Sequence, residues 1–448
     1  MPPRRRQAAP SARAAGASLA SLPDGLLERI LGLLNQPDRH RAALVSRRWH
    51  GAAHNPAVLR SIKCLQHKLP RLQSFAAWLL RHGRHVRSFD LSCYPPSSET
   101  EPFLWEALAC LGALAAAGSL QQLKLTCYSR TTLGVASWCA AQRQLEELHL
   151  ANSCNTLRIS ASLAGLSALA QLTLRGHGVV VDATVQLPPN VERLFLQDTF
   201  SAALPPQLSG LTRLSALALH VCCPPDGYAV LTQLCRLARL WLRYSNHLPA
   251  CLPQLTGLQE LMLDESGGAM QLAEAQAAVD AVLQQLTGLT SLCILGEPER
   301  CQAPAALARL SRLERCCLSS AACDPDEGED FEVPAAPLRP GPWAASLRSL
   351  GASLDVLAHS TGVLSAAPQL TRLVLTGNSL QSDVEEAFWE WAGSHPSLQQ
   401  LQIDVGGYDV AAAMLHTIIS LARKRPQLEI TSAMVGEGGQ FHREFAFD

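Results

Sequence analysis

An L-x-x-L-x-L pattern recurs along most of this 448-residue chain. Leu120-Gln-Gln-Leu123-Lys-Leu125, Leu145-Glu-Glu-Leu148-His-Leu150, Leu214-Ser-Ala-Leu217-Ala-Leu219 and Leu370-Thr-Arg-Leu373-Val-Leu375 are four copies. Starts fall at Val86, Leu120, Leu145, Leu169, Val191, Leu214, Leu237, Leu258, Leu289, Leu313, Leu347, Leu370 and Leu398, and Leu428-Glu-Ile430 is a truncated last copy. From Leu120 to Leu258 the steps are 25, 24, 22, 23, 23 and 21 residues. A repeat of that period admits few folds. Positions 4 and 6 alternate as on a short strand and point inward. One coil cannot bury its apolar face alone, whereas a stack of coils can.

The period and the leucine spacing resemble those of leucine-rich-repeat proteins. The resemblance implies an α/β solenoid, a horseshoe whose concave face is a parallel sheet. The middle returns, Leu204-Pro-Pro-Gln-Leu208 and Leu252-Pro-Gln-Leu255, are too short for long helices. Helical patterns appear at 103–117, 273–286, 384–392 and 410–423, so the convex side is expected to change from helical to irregular and back. Position 9, where such repeats often carry Asn, holds Asn378 in one coil and Ser153, Thr199, Cys222, Ser245 and Ser266 elsewhere. Those shorter polar groups predict a less regular ladder between coils.

The hydrophobic fraction of 48% and charged fraction of 17% suit an ordered, core-rich protein. A net charge of −1 argues against nucleic acid as the main partner, because phosphate binding needs a basic stripe. The longest apolar run, Leu108 to Ala117, is too short to cross a bilayer. Fifteen cysteines include no C-x-x-C pair, and several occupy leucine slots, as Cys316 does. They read as small hydrophobes in a reducing compartment, cytoplasmic and/or nuclear. Residues 1–17 form a basic tail. Asp324 to Glu332 is acidic and a Pro-rich run follows it to Pro342, so 322–342 reads as a solvated insertion.

Ahead of the repeats stands Leu22-Pro23-Asp-Gly-Leu26-Leu-Glu-Arg-Ile30-Leu31, then Leu33-Leu34, Asp38 and Leu44-Val45-Ser46-Arg-Arg-Trp49. Pro23 suits a helix start. Leu26, Ile30 and Leu34 lie four apart on one helix face, and Arg41 to Ala53 predicts a second helix. Such a pair either caps the first coil or docks an outside partner. The stretch resembles an F-box in its Leu-Pro opening and its Val-Ser-x-x-Trp close. That resemblance implies docking to Skp1, and through it to a cullin and a RING subunit, with Leu22, Pro23, Leu26, Ile30, Leu44, Val45 and Trp49 as the partner-binding residues. Arg39, Arg41, Arg47 and Arg48 form a basic cluster there. The expected organisation is a tail at 1–17, an F-box at 18–62, a helical linker and cap at 63–85, about thirteen repeats over 86–431, and a tail at 432–448.

No phosphate loop or nucleophile elbow is present, and His50 and His54, although spaced i, i+4, have Gly51 where a zinc protease needs Glu and no third ligand, so neither metal nor cofactor is expected, and catalysis, if any, belongs to a partner. Binding to cargo falls to the outward strand positions 5, 7 and 8. There Arg175, Phe195, His220, Trp241, Arg243, Tyr244, Met262 and Asp264 gather aromatic and charged side chains of the kind that dominate interfaces. Phe195, Trp241, Tyr244 and Met262 are expected to form an exposed apolar stretch. The reading is a target-recruiting adaptor of a Skp1–cullin–F-box ubiquitin ligase. The alternative is a leucine-rich-repeat scaffold, cytoskeletal or axonemal, with no ligase link.

Overall fold

The computed structural model describes residues 22–34, 36–66, 68–95, 100–135, 142–198, 203–221, 223–244, 247–265, 272–296, 304–320, 338–353, 356–357, 359–377, 386–405 and 408–434. Of the expectations above, the 1–17 tail, the acidic run at 324–332 and most position-9 residues, Asn378 included, lie outside them. The chain divides into two compact units, Met1–Leu125 and Thr126–Asp448.

The first unit opens with four helices, α1 (Asp24–Leu33), α2 (Gln36–Ala43), α3 (Arg47–Ala53) and α4 (Pro56–Leu59). Then follow β1 (Ser61–Gln66), α5 (Leu69–His82), β2 (Ser88–Cys93), α6 (Thr100–Ala117) and β3 (Gln122–Cys127). β1 and β2 pair in parallel, Ser61 facing Ser88 through Gln66 facing Cys93. The ladder therefore begins ahead of Val86. Leu59-Arg-Ser-Ile62-Lys-Cys64 is a repeat in which Ile and Cys replace two leucines, and all three side chains are buried. The helix expected as a cap, α5, is the return segment of that coil, packing Leu72, Phe75 and Leu79 inward.

The second unit holds β4 (Leu133–Val135), β5 (Glu147–Ile159), β6 (Gln171–Val181), β7 (Arg193–Asp198), β8 (Ala216–Val221), β9 (Arg239–Tyr244) and β10 (Glu260–Glu265). It continues with β11 (Ser291–Gly296), β12 (Arg315–Ser320), β13 (Ser349–Ser353), β14 (Arg372–Gly377), β15 (Gln400–Val405) and β16 (Glu429–Met434). From β5 to β16 each strand lies beside its predecessor, and β4 adds to β5. Every strand from β5 to β15 starts two residues after the first apolar residue of its repeat, so the leucine register is the strand register. Backbone amides at the strand entries stitch successive coils, as from Ala238 N to Ser215 O at 2.9 Å and from Gln259 N to Ala238 O at 2.8 Å. Each coil buries three apolar side chains, mostly leucine, and each leucine contributes about 1.5–3 kcal/mol.

The returns follow their composition. Pro206–Gly210, Pro225–Gln233, Leu252–Gln254 and Ala305–Arg309 are 3-10 turns. Proline suits their first turn, where no intrahelical bond is lost. Alpha-helices occupy Leu272–Leu283, Glu386–Ser394 and Tyr408–Lys424. Two features went beyond the repeat template. β5 and β6 run on past it through a register shift between Asn152 and Thr156. There a Cβ on Gly176 would lie 2.9 Å from the Gly178 oxygen, so only glycine fits. The buried Asn152 donates to the Thr131 and Thr156 oxygens at 2.9 and 3.0 Å, the inter-coil role expected of position 9 but taken one place earlier. At the Pro-rich end of the 322–342 segment Arg339, Pro340 and Pro342 are exposed, and one residue is anchored. Leu338 is buried with its amide on Ser360 Oγ at 2.8 Å, and the buried Trp343 follows directly.

Candidate docking surfaces

Helices α1 to α4 close around Leu27, Leu31, Ala43, Ala53 and Val58, with Leu34, Ala42, Trp49 and Ala52 against them. The inward stripe of α1 is thus Leu27 and Leu31, one residue on from the face read in the sequence. Leu26, Ile30 and Leu33 point outward, 48%, 37% and 84% exposed. The second helix is broken where one continuous helix was expected. Ser46 accepts from Trp49 N at 3.3 Å and caps α3, so the chain turns at Leu44 and Val45, which stand 73% and 70% exposed. A serine that caps a new helix competes with continuation of the old one.

Of the residues read as partner-binding, Leu26, Ile30, Leu44, Val45 and Pro23 face solvent, Leu22 is half-buried, and Trp49 packs on the internal core. Leu33, outside the Leu-Pro and Val-Ser-x-x-Trp motifs, belongs with the exposed group. The basic cluster also separates. Arg39 is buried, its guanidinium donating to the oxygens of Leu31, Leu34 and Val58 at 3.1, 3.0 and 3.1 Å. It ties the C-terminal ends of α1 and α4 together, where unsatisfied carbonyls favour a cation. Arg48 bonds Asp24 at 2.7 Å and also the Leu22 carbonyl, and Arg41 meets Asp38 at 2.8 Å. Only Arg47, exposed, is left of a face for acidic groups.

In the second unit, alternate residues of β6 to β10 face away from the leucine core. Arg175, Arg239 and Arg243 are exposed there, and Phe195, His220 and Trp241 are partly buried. The three rings meet edge to face, His220 lying 4.9 Å from Phe195 and 4.7 Å from Trp241 between centroids. Burial, with Arg243 and Arg175 close by, pushes the His220 pKa down to about 4, so the imidazole is neutral at pH 7. Arg243 lies 3.7 Å from Asp264. The expected exposed apolar stretch stops at Trp241. Tyr244 is buried because it falls at position 8, on the inward side of the alternation. Met262 is outward in register but buried in a cluster with Cys293, Leu295, Cys317 and Val374, against which Trp241 packs.

Among the described residues, no group of three His, Cys, Asp or Glu is placed to hold a metal ion, and no helix is long and apolar enough to cross a membrane. Desolvation raises the Cys64 thiol to about 11 and the Cys110 thiol to about 12, so both are held protonated at pH 7.

Residues 19–65 match the F-box-like family model. The match ends at β1, so the family segment and the first coil share Leu59, Ile62 and Cys64. Solved structures similar to this chain include an internalin from Listeria monocytogenes, at 13% identity and TM-score 0.32 over 72% of this chain and 83% of that one. Another is a leucine-rich-repeat protein of Leptospira interrogans, at 16% identity and TM-score 0.30 over 85% of this chain and 97% of that one. No curated protein matches the chain. The repeat assignment rests on the strand ladder and its leucine register.

Proposed function

We propose that this chain, an F-box-like segment leading into leucine-rich repeats, is the target-recruiting adaptor of a Skp1–cullin–F-box ubiquitin ligase. F-box domains generally bind Skp1, and the segment at 19–65 matches that family. The observation that carries the reading is the division of apolar residues in α1 to α3. Leu27 and Leu31 of α1 enter the internal core, whereas Leu26, Ile30, Leu33, Leu44 and Val45 remain at the surface. A surface of that composition marks a protein interface. Burying it against Skp1 is the favourable term, at about 25 cal/mol per Å² of apolar area removed from water. The repeat unit then binds the target through the outward strand face, and ubiquitin transfer falls to other subunits in the cytoplasm or nucleus.

The test is co-purification of the full chain with Skp1, compared with a Leu33→Asp/Leu44→Asp variant. Both positions are solvent-facing, so the variant folds and loses Skp1. Retention of Skp1 by the folded variant would place the contact elsewhere and remove the support for this reading.

A further inference from the structure

Within the second unit, the outward positions of β6 to β9 differ in charge from their neighbours. They hold Arg175, Arg193, Arg239 and Arg243 and no Asp or Glu. Acids bound this stretch on both sides, Glu147 on β5 and Glu260 with Asp264 on β10. The cation row has the Phe195, His220 and Trp241 rings in its middle, and Ala218, buried, lies between the two larger rings in strand register. Arg175 and Arg239 form no ion pair among the described residues. Arg243 has Asp264 at 3.7 Å, a long contact that leaves the guanidinium about half exposed beside a largely covered carboxylate.

Spacing narrows what fits. Neighbouring strands lie about 4.8 Å apart, so Arg175 on β6 and Arg243 on β9 stand about 14 Å apart across the sheet. An extended peptide rises about 3.3 Å per residue and presents alternate side chains to one face. Residues i, i+2 and i+4 therefore reach from one arginine, over the rings, to the other. Resting on the proposed function, we infer that this face recognises an extended acidic segment of the target, with a carboxylate side chain at each end and an aromatic or aliphatic side chain between them. The carboxylates meet Arg175 and Arg243, with Arg239 adding positive potential. The central side chain lies on Phe195 and Trp241. His220, held neutral by burial, supports the rings without contributing a cation.

The experiment is fluorescence anisotropy of a labelled Glu-Ser-Phe-Ser-Glu peptide titrated with the full chain. Three results are expected: saturable binding that weakens with salt, roughly tenfold or more loss on Arg175→Glu/Arg243→Glu, and capture of a Lys-Ser-Phe-Ser-Lys peptide by that same variant. Trp241→Ala should weaken binding with circular dichroism unchanged. Equal affinity for the acidic and lysine peptides on the unmodified chain, or no effect of charge reversal, would overturn the inference. So would equal binding of a Glu-Ser-Ser-Ser-Glu peptide, which would reduce the site to unspecific charge. Skp1 co-purification of each variant separates the two claims. Peptide binding without Skp1 leaves this surface standing and removes the ligase role. Skp1 binding with no acidic-peptide preference does the reverse.

Discussion

Replacing Arg39 with Met should loosen the helical segment and leave the repeats intact. In the structure the guanidinium donates to the carbonyls of Leu31, Leu34 and Val58 at 3.0–3.1 Å, with a longer bond to the Ser61 oxygen at 3.5 Å. Hydrogen bonds from a charged donor contribute about 1.5–3 kcal/mol each, or about 4.5–9 kcal/mol for three. Desolvation of the buried guanidinium, which also lowers its pKa, offsets several kcal/mol of that. A net loss of about 3 kcal/mol remains, close to half the stability of a module this small. Amide hydrogen exchange followed by mass spectrometry reads it locally. Peptides from 24–59 should exchange roughly 100-fold faster, while peptides from β6 to β9 keep their protection. Arg39→Lys should recover less than half of the loss, since one ammonium nitrogen cannot reach carbonyls on two helix ends. Unchanged exchange in 24–59, or full recovery with Lys, would show that the carbonyl clamp does not hold the module.

Ser46→Ala removes the cap on α3 and should cost about 1 kcal/mol in denaturant unfolding of the segment. Gly341→Ala puts a Cβ 2.9 Å from Trp343 Cδ1 and 3.0 Å from Ala308 Cα, so differential scanning calorimetry should show a loss of about 1–3 kcal/mol. For pH, His220 has a folded pKa of about 4 against an ordinary value of 6.5. Above 6.5 both folded and unfolded forms are neutral and the group has no effect. As pH falls toward 4 the unfolded chain takes up the proton and the folded chain does not, so stability declines through that window. His220→Gln should make the decline shallower in urea titrations at pH 4 to 6.5, and an unaltered slope would contradict the burial of the ring.

The strand register was readable in the sequence because each coil must bury the same three positions. The apolar residue at position 1, leucine in every coil from β5 to β15 except Val191, therefore locates the strand two residues later. β1 escaped because Ile62 and Cys64 replace leucine, although the spacing from Leu59 is the same. The inward face of α1 was ambiguous for a physical reason. Leu26-Leu27 and Ile30-Leu31 form two adjacent apolar stripes, both with helical period, and packing of α3 and α4 decides which one faces in. Arg39 looked like part of a charged surface because sequence shows a cation's charge and not the carbonyls waiting for it. On the repeat face, alternation placed Phe195, Trp241 and Arg243 outward. Tyr244 followed the opposite phase, and Met262 joined a buried cluster that spans strands distant in sequence.

The central claim is that the exposed apolar residues of α1 to α3 dock Skp1. Titration calorimetry of the full chain with purified Skp1 tests it directly. A saturable one-to-one complex with a negative heat-capacity change, abolished by Leu33→Asp/Leu44→Asp, is the predicted result. Absence of any complex between Skp1 and the folded, unmodified chain would contradict it.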